Sequence, residues 1–121
     1  MFGFEKLDVW QKAIELTDIV YAFTRDFPSD ERYGLTSQMR RSSVSIGSNL
    51  AEGSGRGTNP DFARFIETSY ASLMELITQT TIAKRQGLLP QPSYDEVYER
   101  SEQIARMLSG LRTSLLNSNK S

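Results

Sequence analysis

Apolar residues recur every three or four positions along four stretches of the chain, the spacing of one face of an α-helix. The pattern is clearest near the end, in the row Tyr94, Val97, Ser101, Ile104, Leu108, Leu111 and Leu115. A first row runs through Leu7, Trp10, Ile14, Thr17, Tyr21, Thr24 and Phe27, and a third through Phe62, Phe65, Ile66, Leu73, Leu76, Ile77 and Ala83. The spacing predicts helices over about residues 5–26, 31–54, 60–86 and 93–116.

Three segments rich in turn-forming residues separate these helices. Pro28 marks the first, because proline is excluded from a helix interior. In the second, the glycines of residues 53–57 end one helix, and Asn59 before Pro60 has the pattern of a cap followed by a first helical residue. In the third, Gly87 supplies a left-handed stop. Ser93 with Glu96 has the pattern of a capping box.

Four helices joined by such short connections pack most simply side by side, each antiparallel to the next. The sequence therefore predicts an all-α fold, an antiparallel up-down-up-down four-helix bundle, as a single domain over residues 1–121.

The second predicted helix is unusually polar, and at about 100° per residue its side chains separate into faces. We expect one face in the core: Leu35, Met39, Ser43, Ile46, Leu50 and Gly53. A second face holds Gln38, Arg41, Ser45, Asn49, Glu52 and Arg56. A third edge carries Val44, Gly47 and Ala51, small enough for another backbone to come close.

The polar face has three interpretations: a solvated surface, a subunit interface or central polar channel, or a contact with a ligand or nucleic acid. Lys and Glu would suit a solvated helix surface better. Short amides and hydroxyls suit a partly buried network, since each donor can find an acceptor. The third helix has a matching polar edge, on which Glu75 is a candidate partner for Arg40 or Arg41. The network candidates are Gln38, Arg40, Arg41, Ser45, Asn49, Glu52, Ser72, Glu75 and Gln79.

The amino-acid composition limits the catalytic and metal-binding chemistry open to this chain. The chain has no cysteine and no histidine, so it lacks the usual thiolate and imidazole metal ligands and the commonest general base. We expect no catalytic residues, no cofactor and no metal. The start of the chain lacks a signal-peptide pattern, and no apolar run approaches the ~20 residues that span a bilayer. We therefore expect a cytoplasmic protein that does not associate with a membrane.

The net charge of −1 hides an uneven distribution. Residues 1–31 hold three Lys/Arg and seven Asp/Glu, whereas residues 32–64 hold five Arg and two acidic residues. Arginine suits bidentate pairing with carboxylates or phosphates. A near-neutral chain is nevertheless a weak candidate for strong nucleic-acid binding, which favours a clearly basic face.

Four segments together resemble the 23S ribosomal RNA intervening-sequence proteins. They are FEKLDVWQKA, FPSDERYGLTSQMRRSSVSIGSNLAEGSGR, FARFIETSYASLMELITQ and the later LLP, and the resemblance spans about residues 4–116. It implies a four-helix bundle that assembles as a ring-like homopentamer with a central channel, and a connection to RNA. A similar bundle serves diversity-generating retroelements, where it binds a reverse transcriptase and nucleic acid through a basic surface. Here Ala71, Met74 and Ile77 depart from the family pattern, and the lysine-rich charge of the retroelement proteins is absent.

Three functions follow for testing. The first is a non-enzymatic scaffold or binding module that forms a homo-oligomer, expected to be a pentamer. The second is an accessory protein that binds RNA or single-stranded DNA through Arg40, Arg41, Arg56 and Arg64 at the opening of the ring. The third, an enzyme using Glu52 and Glu75, is the weakest, because nothing else supports catalysis. The glycines near residue 55 lack the lysine and the preceding strand that phosphate-binding loops require.

Overall fold

The computed structural model describes residues 1–118, which form four α-helices and two short 3-10 helices without a strand. The α-helices are α1 (Asp8–Thr24), α2 (Leu35–Ser54), α3 (Asn59–Arg85) and α4 (Gln91–Ser118). The 3-10 helices, Gly3–Lys6 and Ser29–Glu31, precede α1 and α2. Because of them, α1 and α2 begin three or four residues later than predicted.

Side-chain contacts show how the helices are arranged. Between α1 and α2, Thr17 reaches Ser43 and Thr24 reaches Arg40, so residue numbers rise on one helix as they fall on the other. The same reversal holds between α2 and α3, where Ser42 meets Gln79 and Ser45 meets Ser72. It holds between α3 and α4 in the pairs Thr81–Tyr94 and Glu67–Arg112. Since α1 also packs on α4, the four helices form a closed bundle with consecutive helices antiparallel.

The cap of α3 differs from the prediction by one residue. Thr58, not Asn59, is the cap, and its side chain accepts a hydrogen bond from the Asp61 N–H at 3.3 Å. Asn59 is the first helical residue, and its amide donates to the Leu115 carbonyl of α4 at 3.2 Å. Both residue types cap helices well, so the sequence alone did not separate them.

The turn from α3 to α4 confirms one prediction and corrects another. Gly87 has φ 76°, the left-handed conformation. The next N–H, of Leu88, donates to the Ala83 carbonyl at 2.9 Å, as in a Schellman motif. However, α4 begins at Gln91, so Ser93 lies inside the helix and does not cap it.

The core confirms the predicted inner face of α2 and shifts that of α1. Met39, Ser43, Ile46 and Leu50 are fully buried. In α1 the buried residues are Val9, Ala13, Leu16, Val20 and Thr24. The predicted row lies mostly one position later, on the edge of α1 that faces α2, where Ile14 is exposed. Helical spacing was correct there, but alanine and valine marked the core more faithfully than the larger tryptophan and tyrosine.

Helices α2 and α3 approach closely at the end of α2. A Cβ atom at Gly53 would lie 2.6 Å from the Cβ of Phe65 and 2.9 Å from Cδ1 of Phe62. Glycine is therefore required at this crossing, and the close approach places the polar faces of α2 and α3 side by side.

Candidate functional site

A polar groove of about 340 Å³ runs between α2 and α3. We call it the polar groove, and it is lined by Gln38, Arg41, Ser42, Ser45, Ser72, Glu75 and Gln79. Six of these seven residues are among the predicted network candidates, which come from two helices that are far apart in sequence. The structure thus brings most of the predicted polar residues together.

Direct hydrogen bonds join the two walls of the polar groove. Ser42 Oγ donates to Gln79 Oε1 at 2.7 Å, and the hydroxyls of Ser45 and Ser72 are 2.8 Å apart. Beside them, the Asn49 amide donates to the carbonyl and the hydroxyl of Ser45, each at 2.9 Å. These partners explain why short polar side chains, and not Lys and Glu, occupy this side of α2.

Arg41 and Glu75 both line the polar groove, yet they do not pair. Among the described residues neither has an ion-pair partner within 4.0 Å. Arg40 lies on the other side of α2, facing α1, so it is not available to Glu75. Glu52 is exposed near the end of α2 and does not line the groove. Hence the predicted α2–α3 charge pair is not formed within one chain.

An exposed apolar strip on α3 continues outward from the polar groove. We call Tyr70, Met74 and Ile82 the α3 strip; 39%, 36% and 44% of their surfaces are exposed. A shallow depression of about 750 Å³ connects them to Gln38, Glu75 and Gln79 of the polar groove. Sequence reasoning missed this strip, because α3 carries apolar residues on both its inner and outer faces. Its one signal was the spacing of these residues by four and eight positions.

A second depression, of about 750 Å³, lies between α1 and the beginning of α2. We call it the arginine cleft, and its lining is Tyr21, Arg32, Tyr33, Thr36, Ser37, Arg40, Arg41, Val44 and Ser45. It contains three arginines and no carboxylate. The guanidinium of Arg40 stacks 4.5 Å from the centroid of the Tyr21 ring, and its Nε donates to Thr24 Oγ1 at 2.9 Å.

The four arginines predicted to contact nucleic acid fall in two places. Arg40 and Arg41 line the arginine cleft, whereas Arg56 follows the end of α2, about 24 Å further along at 1.5 Å per residue. There Arg56 stacks 4.6 Å from the Phe65 ring centroid, and Arg64 forms an ion pair with Asp61. These arginines therefore do not make one continuous basic patch on a single chain.

The candidate carboxylate pair is also separated. Glu52 lies beside Gly53, which meets Phe65, while Glu75 lies ten residues further along α3, about 15 Å away along the axis. Within residues 1–118 no three acidic side chains cluster in a way that could hold a metal ion. In the same range, no helix combines the length and apolarity needed to cross a bilayer.

Together these features define a class of protein: an antiparallel four-helix bundle that carries a polar groove, an exposed apolar strip and an arginine cleft. The chain belongs to the 23S rRNA-intervening sequence protein family, whose family model matches residues 5–110. This confirms the resemblance seen in the sequence.

A solved structure supports the fold. It is the 1.70 Å crystal structure of a protein of unknown function from the S23 ribosomal protein family of Bacteroides thetaiotaomicron VPI-5482. The TM-score is 0.77 at 20% sequence identity, and the match covers 86% of this chain and 97% of the other. At that identity the similarity establishes the fold alone. Comparison with curated proteins gives no match.

Proposed function

We propose that this protein is a non-enzymatic scaffold or binding module that assembles into a ring-like homo-oligomer, a pentamer, in the cytoplasm. The observation that carries the proposal is the α3 strip, an exposed apolar surface continuous with the polar groove. An apolar core with a polar border is the usual anatomy of a subunit interface. The unpaired Glu75 at its border gives such a contact a charge to match.

The α1–α2 edge offers a second, different apolar surface. Ile14 and Val44 are 38% and 44% exposed on these neighbouring helices. A ring requires two unlike surfaces on each copy, because each copy contacts the next in a head-to-tail manner. We infer that the α3 strip of one copy packs on Ile14 and Val44 of the next, near its unpaired Arg41.

Analytical ultracentrifugation at micromolar concentrations tests this assembly, with wild type expected to sediment as a closed oligomer. In Met74→Glu a charge replaces the centre of the α3 strip, and desolvating it at an interface is costly. We expect this variant to sediment as a folded monomer with unchanged helical circular dichroism. Gln103→Glu is the matched control, since it adds the same charge at an exposed position of α4. A monomeric wild type, or an oligomer that Met74→Glu leaves intact, would overturn the proposal.

Binding of RNA or single-stranded DNA is the second candidate function. The specific observation in its favour is the arginine cleft, which concentrates three cations beside two tyrosines with no carboxylate in its lining. Retention of labelled single-stranded RNA should then fall steeply with rising salt, because neutralised phosphates release counterions. Retention that is absent at low salt would exclude this function.

A further inference from the structure

We propose that the arginine cleft is a nucleoside-phosphate site, in which Arg40 holds the phosphate and the Tyr33 ring stacks on the base. Arg41, which lines both the cleft and the polar groove, is left to the contact with the next copy. The inference rests on the second candidate function and deepens it, since it replaces a diffuse basic surface by one defined pocket. It also moves the binding site away from Arg56 and Arg64.

The first observation is that Arg40 is held in place before any ligand binds. Its Nε donates to Thr24 Oγ1 at 2.9 Å, and its Nη2 is 3.5 Å from the Tyr21 carbonyl. Thr24 is itself fixed, because its hydroxyl donates to the Val20 carbonyl at 2.7 Å. The Tyr21 ring covers one face of the guanidinium. An arginine fixed in this way loses little conformational entropy when an anion binds.

The second observation is that Arg40 has no counter-ion. It is half-buried, yet no carboxylate of the described chain lies within 4.0 Å of it. Glu31 is near in sequence, but its Oε1 accepts the Leu35 N–H at 3.3 Å at the start of α2. A partly desolvated charge is unfavourable when no opposite charge lies near it. An anion that enters the cleft therefore gains the interaction with Arg40 without displacing an internal carboxylate.

The third observation is the Tyr33 ring, which is 89% exposed at the mouth of the cleft. It contributes nothing to the core, and within residues 1–118 its one ring contact is Arg32, 5.8 Å from its centroid. Exposed aromatic rings beside arginines are the usual platform on which single-stranded bases stack. Cleft and ring together fit a ligand with an anionic end and a planar end.

The carboxylate of a second copy is the competing occupant, and the composition of the cleft disfavours it. Three arginines line one depression, so a single carboxylate, such as Glu75 of the next copy beside Arg41, would leave two of the three positive charges unbalanced. A phosphate offers more charge and accepts bidentate hydrogen bonds from more than one arginine. The volume of about 750 Å³ is also within the range of ligand pockets.

The test is a titration of the full chain, monitored by calorimetry, with AMP, adenosine, inorganic phosphate and a single-stranded RNA of about twelve nucleotides. We expect AMP to bind, adenosine to bind at least about tenfold more weakly, and inorganic phosphate to compete with AMP. RNA that binds while AMP does not would exclude the nucleotide-sized site and leave the second candidate function standing. AMP that binds while RNA does not would retain the site and exclude nucleic acid as its ligand.

Single substitutions test the role of each residue in the binding of AMP. Arg40→Gln should weaken AMP binding about tenfold or more, and Arg40→Lys should restore part of it, because lysine keeps the charge without the fork. Tyr33→Ala should weaken binding of AMP about tenfold but leave the affinity for inorganic phosphate unchanged. Arg106→Gln is the matched control, because Arg106 is an exposed arginine of α4 that also lacks an ion-pair partner within residues 1–118.

Two results would overturn the inference. In the first, AMP affinity is the same in Arg40→Gln and Arg106→Gln. In the second, AMP does not bind to wild type. If Arg40→Gln then also changes the sedimentation coefficient, the cleft is assigned to a carboxylate of a second copy. Circular dichroism of each variant shows whether the fold is intact.

Discussion

The α2–α3 side and the α4 side of this bundle differ in how their charged side chains are paired. On α4, Arg100 lies within 4.0 Å of Glu15 and Glu96, and Arg112 is 3.2 Å from Glu67. On the other side Arg40, Arg41 and Glu75 have no ion-pair partner within the described chain. Within residues 1–118, Arg106 of α4 is also unpaired, but it is not part of a groove. The α2–α3 side instead brings the unpaired Arg41 and Glu75 into one groove beside an exposed apolar strip. That difference is why the α2–α3 side is the candidate contact surface.

Two glycines give the largest expected contrast between these sides. In Gly53→Ala the new Cβ would meet the backbone-anchored Cβ of Phe65 at 2.6 Å, so we expect a loss of about 1–3 kcal/mol in the free energy of unfolding. In Gly110→Ala nothing lies within 4 Å of the new Cβ on α4. There we expect a gain of up to about 1 kcal/mol, because alanine favours a helix interior.

Urea denaturation at equal protein concentration measures both changes. The contrast lies in the sign, so it does not depend on the exact size of either effect. Equal stability of the two variants would show that α2 and α3 can separate locally without loss, and would remove the packing reason for glycine at residue 53.

The sequence predicts which residues of a helix are buried, because helical periodicity determines that. It predicts less well which neighbouring helix a given side chain meets. The spacing of Met39, Ile46 and Leu50 places them in the core whatever surrounds them. Arg40 and Arg41 differ by about 100° around α2, so the helix each one meets depends on the handedness of the bundle. Periodicity does not fix that handedness, and the sequence therefore left both arginines as partners for Glu75.

The α3 strip shows a second limit. Tyr70 and Met74 are large, mainly apolar side chains like Leu73 and Leu76, and burial in the folded chain tells the outer pair from the inner pair. The polar groove was more predictable, because Ser45 and Ser72 belong to polar edges that are conspicuous on both helices. Contacts between polar residues could thus be anticipated, whereas an exposed apolar surface on a two-faced helix could not.

Two fully buried serines give the next contrast. Ser69 donates to the Ile46 carbonyl across the α2–α3 contact at 2.9 Å, while Ser101 Oγ of α4 has no hydrogen-bond partner among the described residues. A net hydrogen bond is worth about 1 kcal/mol, and an unsatisfied buried hydroxyl costs about 1–3 kcal/mol. We expect Ser69→Ala to lower the free energy of unfolding by about 0.5–1 kcal/mol and Ser101→Ala to raise it by about 1 kcal/mol.

Thermal or urea unfolding of the two alanine variants checks this pair. Destabilisation in Ser101→Ala would mean that the hydroxyl finds a partner, such as a bound water, in the folded protein. Stabilisation in Ser69→Ala would mean that the cross-helix hydrogen bond stabilises the fold by less than the higher helix propensity of alanine does.

The smallest expected effect on stability comes from the exposed ion pairs. Arg112 and Glu67 are about half exposed and lack hydrogen-bond geometry at their 3.2 Å separation. Such pairs contribute at most about 1 kcal/mol, so Arg112→Gln should lower the unfolding free energy slightly, and less at high salt.

Arg41→Gln breaks no ion pair within one chain and should leave the stability of a monomeric background such as Met74→Glu unchanged. In the otherwise wild-type protein the same substitution should weaken assembly, because Arg41 borders the surface that we assign to the next copy. An equal effect of Arg41→Gln in both backgrounds would place its partner inside the chain and erase the distinction between the two sides.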